Sequence, residues 1–296
     1  MSEIIKVGLI GGTGLGDLLR DAGGGRSHDL QTPFGPPSGG IVELQWDGLT
    51  VLALSRHGPG HLMAPTQVPY RANIFALKQL GCTHIIASGA VGSLRQEMKP
   101  QDLAIPDQVI DRTCKRASTF FQNAAVHVEM AEPFCPVLRR ILIEQAPGGA
   151  AAVHDRGCYV CIEGPAFSTR AESLMHRMWG GDLIGMTAMP EAKLAREAEI
   201  PYALVALVTD HDCWKPKESA ADAAGLLKEI LSNLQTASAR AMELIRRALR
   251  KIAADPNPLL DCPARRALEL AIWSDKSRID REEVQRLLPL WGKYLG

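Results

Sequence analysis

The sequence carries no excess of charge of either sign: 33 Lys plus Arg balance 33 Asp plus Glu over 296 residues. A general nucleic-acid binder shows a basic excess or a clustered basic face, so no nucleic-acid partner is expected. Long apolar runs are also missing. The longest, from Ile200 to Val208, falls far short of the roughly 20 residues that span a bilayer, which argues against membrane residence. Beside Glu3 and Lys6 lies only a short apolar strand and no h-region, so a secretory signal is not expected and the cytoplasm is. Cysteines number seven, an odd count that reads as reduced thiols filling small core sites. Cys158 and Cys161 form a C-x-x-C without a second Cys or His pair at zinc-finger spacing.

What is present is an ordinary globular composition, 46% hydrophobic and 22% charged, which excludes disorder and collagen-like repetition. No repeat of fixed period and no long polar linker divides the chain, so one domain over residues 1–296 is expected. Short aliphatic runs alternate with longer amphipathic stretches, the pattern of a mixed α/β sheet protein. Strands are predicted over residues 4–10, 50–54, 84–87, 103–105, 158–162, 183–186 and 202–209, and helices over 70–80, 136–145, 169–179 and 190–198. From Ala220 the pattern is helical to about Arg250, and a helical tail from about residue 251 adds helices over 263–272 and 280–288.

The segments that could carry chemistry come directly after strands. Gly11-Gly12-Thr13-Gly14-Leu15-Gly16 could let backbone N–H groups approach an anion, or could be a tight turn; it fits neither the G-x-G-x-x-G nor the P-loop register. Arg56 and His57, at the end of an apolar strand, could offer a planar fork and a donor to phosphate, or form a surface salt bridge. Ala87 to Ser93 reads as a small-residue loop. In Glu163 to Arg170, Ser168 could cap a helix, contact an anion or do both. Gly185 to Glu191 is another strand-to-helix turn. Asp210 and Asp212, spaced i, i+2 on an extended segment, point the same way, whereas alternation turns His211 aside and leaves a metal shell incomplete. A pocket with phosphate at one end and a hydrogen-bonding heterocycle at the other would use this inventory.

The ordered set Gly11 to Leu15, Thr32-Pro33-Phe34-Gly35, Arg56-His57-Gly58, Gly92-Ser93-Leu94, Asp111-Arg112-Thr113, Met130 to Cys135, Ile162-Glu163-Gly164-Pro165, Met186-Thr187 and Thr209 to Trp214 resembles the trimeric purine nucleoside phosphorylase family, specifically its members acting on 5'-methylthioadenosine. The resemblance runs from about Lys6 to Arg247. It implies one α/β domain with a mixed, partly barrel-like central sheet flanked by helices, assembled as a homotrimer. It also implies phosphorolysis of 5'-methylthioadenosine to adenine and 5-methylthioribose 1-phosphate, with adenosine as a further candidate substrate. Phosphate would be a co-substrate, and no metal or organic cofactor would be required.

By motif, the resemblance assigns phosphate to Thr13, Arg56, His57, Gly89, Ala90 and Thr187, with Ser168 nearby. Met186 would lie against the ribose and Phe167 would wall the base. Asp210 would be the general acid at N7 and, with Asp212, would address the purine. His61, Ala223, Leu226 and Leu227, with His127 of a neighbouring subunit, would surround the 5' substituent. Family members acting on 6-oxopurines carry Asn where Asp210 stands, so a carboxylate there points to the 6-amino group of adenine. The chain departs from the pattern at Gly89, where many members have Thr, at Ala166 in place of Arg, and at Pro69 in place of Asn. Two alternatives stand beside this reading: an inosine or guanosine phosphorylase of the same fold, and a nucleoside-binding protein with weak or lost turnover.

Overall fold

The structure, a computed structural model, describes residues 4–13, 15, 24–148, 151–215 and 223–295. Its strands are β1 (Lys6–Gly11), β2 (Arg26–His28), β3 (Ile41–Trp46), β4 (Leu49–Ser55), β5 (His84–Ser93), β6 (Leu103–Ala104), β7 (Gln108–Asp111), β8 (Val153–His154), β9 (Cys158–Cys161), β10 (Leu183–Gly185) and β11 (Tyr202–Asp210). The helices are α1 (Tyr70–Gln79), α2 (Pro136–Glu144), α3 (Arg170–Met178), α4 (Ala188–Glu197), α5 (Ala223–Ala254), α6 (Asn257–Leu260), α7 (Arg281–Arg286) and α8 (Leu288–Leu295).

The strands form one mixed sheet in the order β2-β3-β4-β1-β5-β10-β9-β7, with β11 also on β5 and leading to β6 and β8. β5 is the branch point. Its first half runs parallel to β1, its far end meets β10 antiparallel, and β11 runs parallel along it. One strand serving three neighbours bends the sheet towards a barrel. Both faces are covered, and β11 shows why: Tyr202, Leu204, Ala206 and Val208 enter one core while Ala203, Val205 and Leu207 enter the other. That is strand alternation with apolar residues on both sides, as expected of a sheet sandwiched by helices. Helices α1, α4 and α8 supply the first core, and α2 and α5 the second.

Four points depart from expectation. Ala87 to Ser93 is not a loop but the continuation of β5, because its small residues let β11 and β10 pair with it closely. The hairpin β3–β4 adds a strand that the sequence reading lacks, although its signal is present: Asp47-Gly48, with φ of 50° and 84°, turns between two alternating apolar runs. The tail does not hold a helix over 263–272; only a 3-10 turn, Pro263–Arg266, forms there. Tertiary contacts draw the rest away from helix, since Leu268 N–H donates to Glu199 and Ile272 bridges to Val126. Further on, the helix expected over 280–288 is two, α7 capped by the Asp280 carboxylate and then α8. The tail packs on the body of the protein, with Trp291 fully buried and its ring 4.7 Å from that of Phe121. All seven cysteines are free thiols. Among the described residues no helix is long and apolar enough to cross a membrane.

Candidate active site

The ends of β1 and β4 and the middle of β5 meet where the expected phosphate residues lie. Arg56, the residue after β4, is fully buried. Its Nε and Nη2 donate to the two carboxylate oxygens of Glu191 on α4, each at 2.7 Å, and Nη1 donates to the Ser88 carbonyl at 2.7 Å. Tyr202 completes the group by donating to Glu191 at 2.8 Å. The pair is therefore neither a surface salt bridge nor a free fork: the forked edge is spent on Glu191, and the unspent N–H groups of Nη1 and Nη2 are those left for an anion.

Gly12 lies directly over this guanidinium. A Cβ there would sit 2.6 Å from Arg56 Nη1 and 2.7 Å from the Ser88 carbonyl oxygen, so only glycine lets β1 leave the sheet at this point. Gly89 is different: a Cβ there would meet only Thr187 Oγ1, at 3.4 Å. Thr187 occupies the N-cap position of α4 without capping it, so its hydroxyl is unused by the helix. Arg56, Ser88, Gly89 and Thr187 thus converge beneath Gly12, beside Thr13 and Ala90. Gly14 and residues 16–23 lie outside the described residues.

His57 is placed beside Arg56 with its Nδ1 2.8 Å from the Met63 carbonyl. A carbonyl only accepts, so Nδ1 carries the proton. Burial, with the adjacent Arg56 charge, pushes the ring down to about 4. The ring is then neutral near pH 7, and Nε2 presents a lone pair. Such a nitrogen accepts from a protonated phosphate oxygen or a sugar hydroxyl, the Nδ1 proton being already spent on the Met63 carbonyl. His61, exposed, stacks on His57 at 4.2 Å.

The paired carboxylates end β11. The register of β11 against β5 shifts between Val208 and Asp210, a bulge that leaves Thr209 extra and re-aims the residues after it. Asp210 Oδ1 accepts from the Asp212 N–H at 2.7 Å and Oδ2 from the Thr209 hydroxyl at 2.6 Å. Asp212 in turn accepts from the Ser173 hydroxyl of α3. The two side chains are brought together by this turn rather than by strand alternation. Both lie over Gly92, where a Cβ would be 3.2 Å from Asp210 Oδ1 and 3.3 Å from Asp212 Cβ. Burial, reinforced by the Asp210 charge and opposed by the Ser173 hydroxyl and Cys213 N–H, holds the Asp212 carboxyl above its ordinary range. His211 turns aside to Trp214, and among the described residues no three metal-ligating side chains gather.

Between these two groups run the ends of β9 and β10. Met186 follows β10, with its side chain packed over Gly164. Glu163 follows β9 and accepts from the N–H groups of Cys114 and Lys115 and from Arg116. Against the opposing effect of burial, these donors hold its carboxyl down at about 2. Ser168 does not cap α3; Thr169 does, in a capping box with Glu172. Ser168 Oγ is left buried without a partner. Phe167, by contrast, is 85% exposed.

The residues expected around a 5' substituent are the least enclosed. Leu227 is exposed on α5, and the side chains of Ala223 and Leu226 lie outside the described residues. His127 is exposed and meets Ala271 and Trp273 rather than the cluster above. Four supporting residues were not singled out from sequence for the work they do: Glu191, Ser88, Ser173 and Thr209. Thr209 alone had a local signal, standing next to Asp210 in the sequence.

Comparison with known proteins bears on this arrangement. Residues 6–250 match the phosphorylase superfamily. An S-methyl-5'-thioadenosine phosphorylase of Geobacter sulfurreducens is 46% identical over 293 residues, covering 98% of this chain and 99% of that protein. The crystal structure of a methylthioadenosine phosphorylase from an antarctic soil metagenomic library superposes with a TM-score of 0.87 at 45% identity, over 97% of this chain and 99% of the other. The methylthioadenosine phosphorylase of Schistosoma mansoni in complex with adenine gives 0.83 at 36% identity, over 92% and 100%.

Proposed function

The chain belongs to the phosphorylase superfamily, and we propose that it cleaves 5'-methylthioadenosine with phosphate to give adenine and 5-methylthioribose 1-phosphate. The observation that carries this is Asp210, held at both oxygens and set with Asp212 over Gly92, on the same strand, β5, whose Ser88 carbonyl accepts from the buried Arg56. Phosphate bound near Arg56, Thr13, His57, Gly89, Ala90 and Thr187 attacks the anomeric carbon as the purine departs. The developing positive charge on the sugar is stabilised by the phosphate anion beneath it. Met186 lines the ribose. Asp210 delivers a proton to N7 as the base leaves, and a carboxylate oxygen accepts from the 6-amino group. Phosphate is the co-substrate, and the chemistry needs no metal or organic cofactor.

Adenosine is a second substrate in this proposal, because Ala223 is small and apolar rather than bulky. Assembly as a homotrimer in the cytoplasm is part of the same reading. Phe167, Leu62 and Met178, each more than 80% exposed, are apolar surface that a neighbouring subunit would cover, bringing His127 to the 5' end. Sedimentation at equilibrium tests the assembly.

The reaction is tested by incubating the protein with phosphate and, separately, methylthioadenosine, adenosine and inosine, following free base by chromatography beside a phosphate-free control. Phosphate-dependent adenine release, fastest from methylthioadenosine, is expected. Hypoxanthine as the main product would overturn the reading of Asp210, and no product from any nucleoside would overturn phosphorolysis.

A further inference from the structure

Beyond the residues that would touch substrate, one buried side chain joins the strand ends that carry them. Arg116, in the loop after β7, has a side chain only 2% exposed. Its Nε donates to Glu163 Oε1 at 2.9 Å. Nη1 donates to the carbonyls of Met186 at 2.6 Å and Met189 at 2.7 Å, with the Tyr70 hydroxyl at 3.2 Å. Nη2 donates to the carbonyls of Glu163 at 2.5 Å and Ile162 at 3.5 Å. Every N–H of the guanidinium is thereby used within the protein.

The placement matters because β9 and β10 stop pairing just here. Their last ladder bond runs from Ile162 N–H to the Gly185 carbonyl, and the two chains then diverge. One leads into Gly164 to Ser168, the other into Met186 and Thr187. The two carbonyls that Arg116 grips on the second chain, Met186 and Met189, bracket Thr187. On the first chain it grips Glu163 by main chain and carboxylate together, and Glu163 closes the clasp by accepting from Cys114 and Lys115 in the loop that carries Arg116. We propose that Arg116 is a positioning residue for phosphorolysis, a guanidinium tie that sets the distance and orientation of Thr187 and Met186 relative to the Gly164 to Ser168 loop. Lysine cannot substitute, since one ammonium offers its donors from a single point, whereas planar donors must reach two diverging strands. This rests on the reading of Thr187 and Met186 as phosphate and ribose contacts.

The experiment measures kcat and the KM values for phosphate and methylthioadenosine separately in wild type, Arg116→Lys, Arg116→Ala and Glu163→Gln, with thermal unfolding of each. Arg116→Lys is expected to remain folded and to lose roughly 10²-fold in kcat/KM for phosphate, the scale of a misplacement of about 1 Å. Glu163→Gln, which keeps an acceptor, is expected to lose less. Guanidinium chloride at low millimolar concentration is expected to restore part of the Arg116→Ala activity without changing wild type, a rescue that a generally loosened fold would not show. Folded Arg116→Lys with wild-type kcat and phosphate KM overturns the inference, as does loss of activity in strict proportion to loss of folded protein. Inactive wild type in the same assay overturns the phosphorolysis reading itself, and the inference with it.

Discussion

Arg56 and Glu191 are wholly buried, whereas Phe167 stands 85% exposed, although all three belong to one proposed site. The buried end is made of main chain, small residues and an ion pair whose forked edge is fixed by Glu191. At the other end, side chains project from loops and from the start of α5 with little of their own chain around them. An anion that must be held rigidly for attack on the sugar is served by the first kind of construction. A substituent that differs between substrates is served by the second, whose shape the single chain leaves open.

The largest effect that could break this contrast is at the ion pair. Glu191→Ala would leave the Arg56 charge buried and unpaired, at a cost of about 3–5 kcal/mol in urea unfolding. A loss near zero would mean that water or another acid reaches Arg56. Next comes Asp210→Asn, expected to lower kcat for methylthioadenosine roughly 10²–10⁴-fold and to relax discrimination against inosine. An unchanged kcat would remove Asp210 as the acid.

Two glycines sharpen the comparison within β5. Gly92→Ala puts a methyl 3.1 Å from Ile184 and 3.2 Å from Asp210 Oδ1, and turnover is expected to fall roughly tenfold. Gly89→Thr meets only the Thr187 hydroxyl and supplies a donor to phosphate, so its KM should drop by about tenfold, the worth of one hydrogen bond to a charged group. If both behave alike, the crowding at Gly92 has no bearing on turnover.

The proton on His57 gives a pH test. Its folded value, about 4, lies below the ordinary 6.5 because burial and Arg56 disfavour the cation. The unfolded state therefore binds the proton more readily, so the contribution to stability is complete above the unfolded value and is lost as pH falls towards 4. Unfolding free energy against pH should slope over that window in wild type and less in His57→Asn. The smallest effect on stability is expected at the open end. Phe167→Ala should change the unfolding free energy of the dissociated subunit by no more than about 0.5 kcal/mol, while weakening assembly and raising the KM for nucleoside. A larger loss would show that the ring is packed within its own subunit.

Much of this was legible in the chain. β11 announces itself as the longest apolar run, and Asp210 and Asp212 come directly after it. Gly11-Gly12-Thr13 and Arg56-His57 each follow a strand, and strand ends in α/β sheets are where ligands sit. Illegible were contacts between segments far apart in sequence. Glu191 is 135 residues from the arginine it neutralises, and Arg116 is 70 and 73 from the two methionine carbonyls it holds. Ser173 and Asp212 meet across 39 residues. No local spacing encodes such pairs.

The sequence by itself determined the alternation of strands and helices, the glycines that let backbones close on one another, and the kinds of groups available for chemistry, because these depend on neighbours along the chain. The tertiary structure alone decided that Ala87 to Ser93 is strand and that the Arg56 fork turns inward to Glu191. Those outcomes depend on burial and on partners supplied by other strands, and both exist only once the sheet has closed.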